Sequence, residues 1–438
     1  MNEQMSDKPF SIWVAIGPAI ITASVVLGPG SILSASKIGY QHGYSMVWVL
    51  AFAVLMMIGI TALSARLGVL LQDTLCAELS RRVGRWASAV TGISLFLIAA
   101  CFQFGNNTGV IASLEPFLRD HPNWHTWSIL IVVLLNVVVA VALFGFKQLY
   151  QPVERLMKFL VTLMVIGFAG NLVMAQPDLL QVIAGLFPQL PEGATSTLVP
   201  RVEQAQIVDN LVPVTALFAT TFSIGGAFYQ AYLVRQKGWN VESLQRGLVD
   251  SAVGISVLGL VTLMVMITAA AVLHGNPDIS EPKSASDVAM QLEPLFGSTA
   301  KVLFCMGIFA GAFSSFLVNA MIGGTVLSDS LGLGGNMDRL WPKLFTVLVL
   351  LIGMGVAIMT LWRNEKPVNL IIFAQAMTVL GLPALAAAMC YLATRRDLID
   401  QHQIPRWLKG VALVALVIVT LLAVRTAVSI YLRLTVGG

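Results

Sequence analysis

Apolar stretches of about twenty residues recur from one end of this 438-residue chain to the other. A stretch of that length spans the hydrocarbon core of a bilayer as one helix. The chain is 57% hydrophobic and only 11% charged, where a soluble chain carries roughly a quarter charged residues. The reading is an all-α polytopic integral membrane protein forming a single transmembrane domain over 1–438. Eleven spans are expected, near 12–36, 44–71, 89–117, 127–145, 153–175, 208–234, 248–273, 299–327, 342–362, 368–393 and 408–434.

The net charge of +4 does not mark a nucleic-acid binder, because no basic cluster interleaved with aromatics is present. Lys and Arg instead gather in alternate loops, as at Arg81, Arg82, Arg85, Lys147, Arg155, Lys158, Arg235, Lys237, Arg395 and Arg396. Basic residues mark cytoplasmic loops, so the N-terminus is expected in the cytoplasm and, with eleven spans, the C-terminus outside. The expected location is a bacterial inner or plasma membrane. The N-terminal "MNEQMSDKPF" lacks the basic region and cleavage site of a signal peptide, so the first span is expected to be retained. Cys76, Cys101, Cys305 and Cys390 are far apart and suggest neither a disulfide framework nor a zinc site. No cofactor is expected. The G-x-S-x-G and H-E-x-x-H motifs are absent, and no paired intramembrane aspartates occur, so an enzyme is not expected.

Two spans are interrupted near their middles. Span 1 carries Gly28-Pro29-Gly30-Ser31, and span 6 carries "SIGGAF", with Ser223, Gly225 and Gly226. A proline removes a backbone donor, and flanking glycines make unwinding cheap. Glycine-interrupted segments at corresponding positions of two halves point to an inverted-repeat transporter with its site at the bilayer midplane. Close helix packing at small residues competes as a reading of "SIGGAF". The expected halves are 1–175 and 208–393, with 408–434 outside the repeat.

The stretches "GPAIITASVVLGPGS", "GYSMVWVLAFAVLMMIGITALSARLGV", "FGFKQLYQPVERLMKFLVTLMVIGF", "GIFAGAFSSFLVNAMIGGTVLSDSLGL" and "FAQAMTVLGLPALAAAMCYL" resemble the natural resistance-associated macrophage protein (NRAMP) family of proton-coupled divalent-metal transporters. The resemblance implies the leucine-transporter fold, with two inverted five-helix repeats and discontinuous helices 1 and 6. It also shows departures. Where the family's first helix has Asp-Pro-Gly-Asn, whose Asp and Asn ligate the metal, this chain has Gly28-Pro29-Gly30-Ser31. The family's Met-Pro-His falls on Ser223-Ile224-Gly225, and a second family histidine falls on Gln230. The acidic pair of the third helix falls on Gln103 and Asn106. The tenth-helix glutamine is kept as Gln375.

Transition metals want imidazole, thiolate, thioether or carboxylate ligands, and hard divalent ions want several oxygens, normally with carboxylates. Gly28, Gly30, Ser31, Thr221, Ser223, Gly225, Gly226 and Gln375 form the expected substrate site, with Pro29 as hinge. They offer neutral groups only, so no metal ligands are assigned. A helix restarting at mid-membrane presents N–H groups and a positive dipole end to anions. Ser31 is expected near the N-cap of that second half. The favoured substrate is therefore a small anion or another small solute, inorganic ions included. The alternatives are a divalent cation held by neutral oxygens, and a non-transporting sensor or scaffold. Lys37, Gln103, Asn106, Asn107 and Gln230 are expected along the pathway. Snorkelling competes for Lys37 and interhelical hydrogen bonding for the amides. The expected partners are the lipid bilayer, the solute and a possible coupling ion; the sequence leaves the oligomeric state open.

Overall fold

The computed structural model describes residues 21, 27–145, 150–189, 198–203, 206–209, 211–277, 280–282, 284–363, 374, 378–395 and 404–436. Leu27 and Gly28 are non-helical, and α1 (Pro29–His42) starts at the proline. Pro suits that first helical position: its missing N–H would have no intrahelical partner there, and its φ is already helical. Gly28 before it is extended (φ −108°, ψ 176°), as a residue preceding proline prefers. At its other end α1 stops at Gly43, whose φ of 56° lies in the left-handed region.

Then follow α2 (Val47–Leu70), α3 (Leu75–Arg82), α4 (Arg85–Leu118), α5 (Trp124–Gly145), α6 (Tyr150–Ala175) and α7 (Leu179–Ala184). A two-stranded antiparallel hairpin, β1 (Arg201–Glu203) and β2 (Gln206–Val208), precedes the second broken span. That span is α8 (Val212–Thr221) and α9 (Ile224–Gln236). The chain continues as α10 (Val241–Val272), α11 (Ala285–Phe296), α12 (Ser298–Ser330), α13 (Leu340–Trp362), α14 (Leu382–Ala393) and α15 (Arg406–Val436).

Among the described residues, nine segments are long and apolar enough to cross a membrane, with α8 and α9 together forming one of them. The helices α1 and α14 fall on the expected spans 1 and 10, whose remaining residues lie largely outside the described set. The expected boundaries hold to within a few residues for most spans, since continuous apolar runs fix where a helix meets water. Span 7 is the main departure, with α10 starting at Val241 rather than 248. The expected loops also hold more structure than foreseen, namely α3, α7, α11 and the hairpin.

Burial separates centre from periphery. The most apolar stretch of the broken span Val212–Gln236 is 83% buried, whereas that of α15 is 22% buried. The broken span therefore sits in the middle of the bundle, and α15 presents most of that surface outward. α12 packs on α4, α9 on α2, and α10 on α1. Small residues let these backbones approach closely. A Cβ on Gly39 would lie 2.4 Å from the Met266 carbonyl of α10, and one on Gly68 would lie 2.6 Å from the Ala231 carbonyl of α9.

Candidate functional site

The first break is boxed by α4 and α12. A Cβ on Gly28 would lie 3.3 Å from Ser315 Oγ and 3.4 Å from Asn106 Oδ1. Ser315 also donates its hydroxyl to the Leu27 carbonyl (3.0 Å), just before the start of α1. The Pro29 ring rests against Gly109 of α4, where any side chain would clash with it. Ser31 is buried, but it is not the N-cap. Gly28 holds that position, because the proline sets the first helical residue two positions before Ser31. The Ile32 N–H already reaches the Gly28 carbonyl (3.2 Å).

From Asn106 a ladder of amides runs into the bundle. Asn106 Nδ2 approaches Gln103 Oε1 (3.5 Å), and Asn107 Nδ2 donates to the Gln103 carbonyl (2.9 Å). Asn136 of α5 donates to Asn107 Oδ1 (2.7 Å) and to the Val132 carbonyl (2.8 Å). All four side chains are buried. Gln103 Nε2 and Asn136 Oδ1 have no hydrogen-bond partner, so the ladder has polar capacity for water or a solute at both. Of the three amides of α4, Asn107 bonds across helices to Asn136, and Asn106 lies beside Gly28.

The second break falls at Phe222 (φ −88°, ψ 65°) and Ser223 (φ −79°, ψ 86°). Ser223 is the N-cap of α9, and its Oγ accepts from the Gly226 N–H (3.3 Å). That bond commits one of the N–H groups at the start of α9. Thr221, the last residue of α8, is fully buried, and its Oγ1 has no hydrogen-bond partner. Gly225 meets α4 at Leu95, eleven positions before Asn106 and about 16 Å along the helix at 1.5 Å per residue. The two breaks thus flank α4 at different heights.

Two residues expected along the pathway are otherwise engaged. Lys37 is buried and ion-paired with Glu281 (3.1 Å), which also accepts from Gln41. Gln230 reaches Ser251 Oγ on α10 (3.4 Å) and lies within the packed face of α9. Gln375 lies outside the described residues. Two contributors escaped the sequence reading. Ser315 sat in a stretch rich in small residues, and Asn136 was one amide in an otherwise apolar span; only a fold places them beside span 3.

Chemically, the first break offers hydroxyl, amide and backbone groups. The sequence from Pro9 to Ser36 contains no charged residue, nor does that from Val212 to Val234. Among the described residues, no group of three or more His, Cys, Asp or Glu side chains is placed to hold a metal ion.

Comparison with known proteins places this architecture among transporters. The family profile described as "Natural resistance-associated macrophage protein-like" matches residues 19–429. The divalent metal cation transporter MntH of Deinococcus radiodurans is 26% identical over 388 residues, covering 87% of this chain and 82% of that protein. MntH of Pectobacterium carotovorum is 24% identical over 415 residues, covering 92% and 91%. The structure of a mutant Eremococcus coleocola manganese transporter superposes with a TM-score of 0.77 at 16% identity, covering 99% of this chain and 95% of that one. A Na+-coupled sialic acid symporter follows at a TM-score of 0.58 and 13% identity, covering 94% and 88%.

Proposed function

The chain belongs to the NRAMP family and has the leucine-transporter fold, and on that premise we propose that it is a secondary transporter that binds a small solute at the broken spans 1 and 6. Alternating access moves the repeat 1–175 against the repeat 208–393, with the N-terminus in the cytoplasm. Pro29 is the hinge of the first break. The solute is a small anion, or another that needs no carboxylate ligand. The observation that supports this reading is the start of α1, which opens at Pro29 in a stretch with no charged residue from Pro9 to Ser36. A divalent cation in a water-poor cavity without a countercharge is strongly disfavoured. The first turn of α1 and its positive dipole end instead attract negative charge.

The MntH relatives are divalent metal cation transporters, which supports a second reading, transport of a divalent metal through neutral oxygens. Uptake into proteoliposomes separates the two. Manganese, iron, chloride, bicarbonate and small carboxylates are offered in parallel. Saturable anion uptake that excess manganese leaves unchanged is expected; saturable manganese or iron uptake would overturn the anion reading. Absence of uptake for every solute would favour a sensor or scaffold.

A further inference from the structure

α1 is a short lever. It starts at the Gly28–Pro29 hinge and ends at His42, 14 residues or about 21 Å away. Its far end rides on α10 through Gly39. There two histidines line one cavity. The His274 ring lies against Gly43, where a Cβ would be 3.0 Å from its Cδ2. His274 Nδ1 is 2.7 Å from the Tyr40 carbonyl. A carbonyl only accepts, so Nδ1 carries a proton and Nε2 is the site for a second. His42 is half-buried, and its Nε2 is enclosed without a hydrogen-bond partner. Both histidines line a cavity of about 620 Å³ together with Tyr44, Ser45, Gln176, Asp178 and Gln181.

We propose that His42 and His274 form a proton-binding clasp that holds the far end of α1 against α10 when neutral and releases it when charged. The geometry sets the direction. A proton on His42 Nε2 adds a donor where no acceptor stands, beside a His274 ring that already gives its Nδ1 proton to the Tyr40 carbonyl. Burial, and then the neighbouring His274, lower the His42 pKa below its ordinary 6.5. The clasped state therefore binds the proton more weakly than a state in which the ring is hydrated. As pH falls through 6.5 toward the lowered value, proton binding shifts the population toward release.

Asp178 lines the same cavity as both histidines. The Asp178 carboxylate accepts from Leu180 N, Gln181 N and Gln181 Nε2. Lys37 and Glu281 are paired with each other one turn and more back along α1. Tyr40 and Tyr44 add phenols from the lever and the turn after it, and α11 contributes Asp287 and Glu293 to its own face. The role as an access gate rests on the transporter reading; the clasp itself does not.

Native-state hydrogen exchange tests it through amides bonded across the lever's end: Gly43 to Gly39 O, Ser45 to His42 O and Val47 to Tyr44 O. Wild type, His42→Gln and His274→Asn are compared at about pH 7.5 and about pH 5.5, which spans histidine titration. Comparison at equal pH cancels the chemical exchange rate at Ser45 and Val47, which have no substituted neighbour, and His274→Asn, which leaves the neighbours of Gly43 unchanged, keeps a donor for the Tyr40 carbonyl. At the lower pH, wild type is expected to exchange at least about threefold faster than either variant at these amides, with parity at the higher pH. Equal exchange in wild type and both variants at the lower pH would overturn the clasp. Wild-type behaviour in His274→Asn alone would remove His274 from it. Acid-triggered release in a chain that carries no solute in vesicles would leave the clasp standing and sink the transporter reading; pH-independent exchange in a chain that transports would do the reverse.

Discussion

A side chain at position 28 begins in a tight space. Its Cβ lies 3.3 Å from a hydroxyl already given to the Leu27 carbonyl, and 3.4 Å from an amide oxygen. Gly28→Asp is therefore expected to act as an overpacked, unpaired charge rather than as a restored metal ligand. Overpacking alone costs about 1–3 kcal/mol. The variant should melt lower, lose native uptake and gain no manganese binding by titration calorimetry. Manganese binding at wild-type stability would show that the pocket still accepts a ligand there. The sequence made Gly28 and Pro29 legible because a breaker inside an apolar run is a local signal. It could not reveal Ser315, whose contact with Leu27 spans 288 positions and leaves no spacing pattern.

At the scale of single elements, α9 stands out. It begins at a cap, Ser223, and ends with Arg235, whose guanidinium donates to the carbonyls of Gly68, Leu71 and Gln72 at the end of α2. One end is set by a local hydrogen bond and the other by a neighbouring helix. Ser223→Ala removes the cap, which is typically worth about 1 kcal/mol. A correspondingly small fall in thermal stability is expected, with faster exchange at the Gly226 amide. Unchanged exchange at that amide would mean that packing, not the cap, starts the helix. The glycine pair made this break readable, since glycine makes unwinding cheap, whereas the cap at Ser223 was not foreseen. At Ser31 the expected cap is absent, because the proline two residues earlier had already fixed where α1 starts.

For the whole molecule, a long-range ion pair ties the last helix to the broken span. Arg425 of α15 pairs with Asp209, just before α8, and also donates to Thr215 Oγ1 and the Leu198 carbonyl; Ser429 donates to Asp209 Oδ2. The Asp209 side chain is 2% exposed. Removing one partner of a buried pair strands the other, at a cost of about 3–5 kcal/mol. Arg425→Met is expected to lower the melting temperature sharply in detergent, with Asp209→Asn recovering part of the loss in the double variant. Additive losses would mean that the two residues act separately. Apolar length made most of the spans legible, because it is a continuous property of the chain, and the family resemblance implied the fold. Which helix holds which was not legible, since partners such as 209 and 425 are joined only by the fold.

The amide ladder has an electrical consequence. The sequence carries no formal charge across the first break, the second break or the stretch of α4 from Trp86 to Ser113. An empty carrier built this way moves no charge of its own through the membrane field in these segments as it reorients, whereas one elementary charge would exchange about 2.3 kcal/mol per 100 mV. The voltage dependence of transport then belongs to the cargo and any ion that travels with it. Currents from proteoliposomes on a solid-supported membrane should be silent without solute, and their sign with solute should report the net charge carried. A transient current from the empty protein would place a moving charge elsewhere in the bundle.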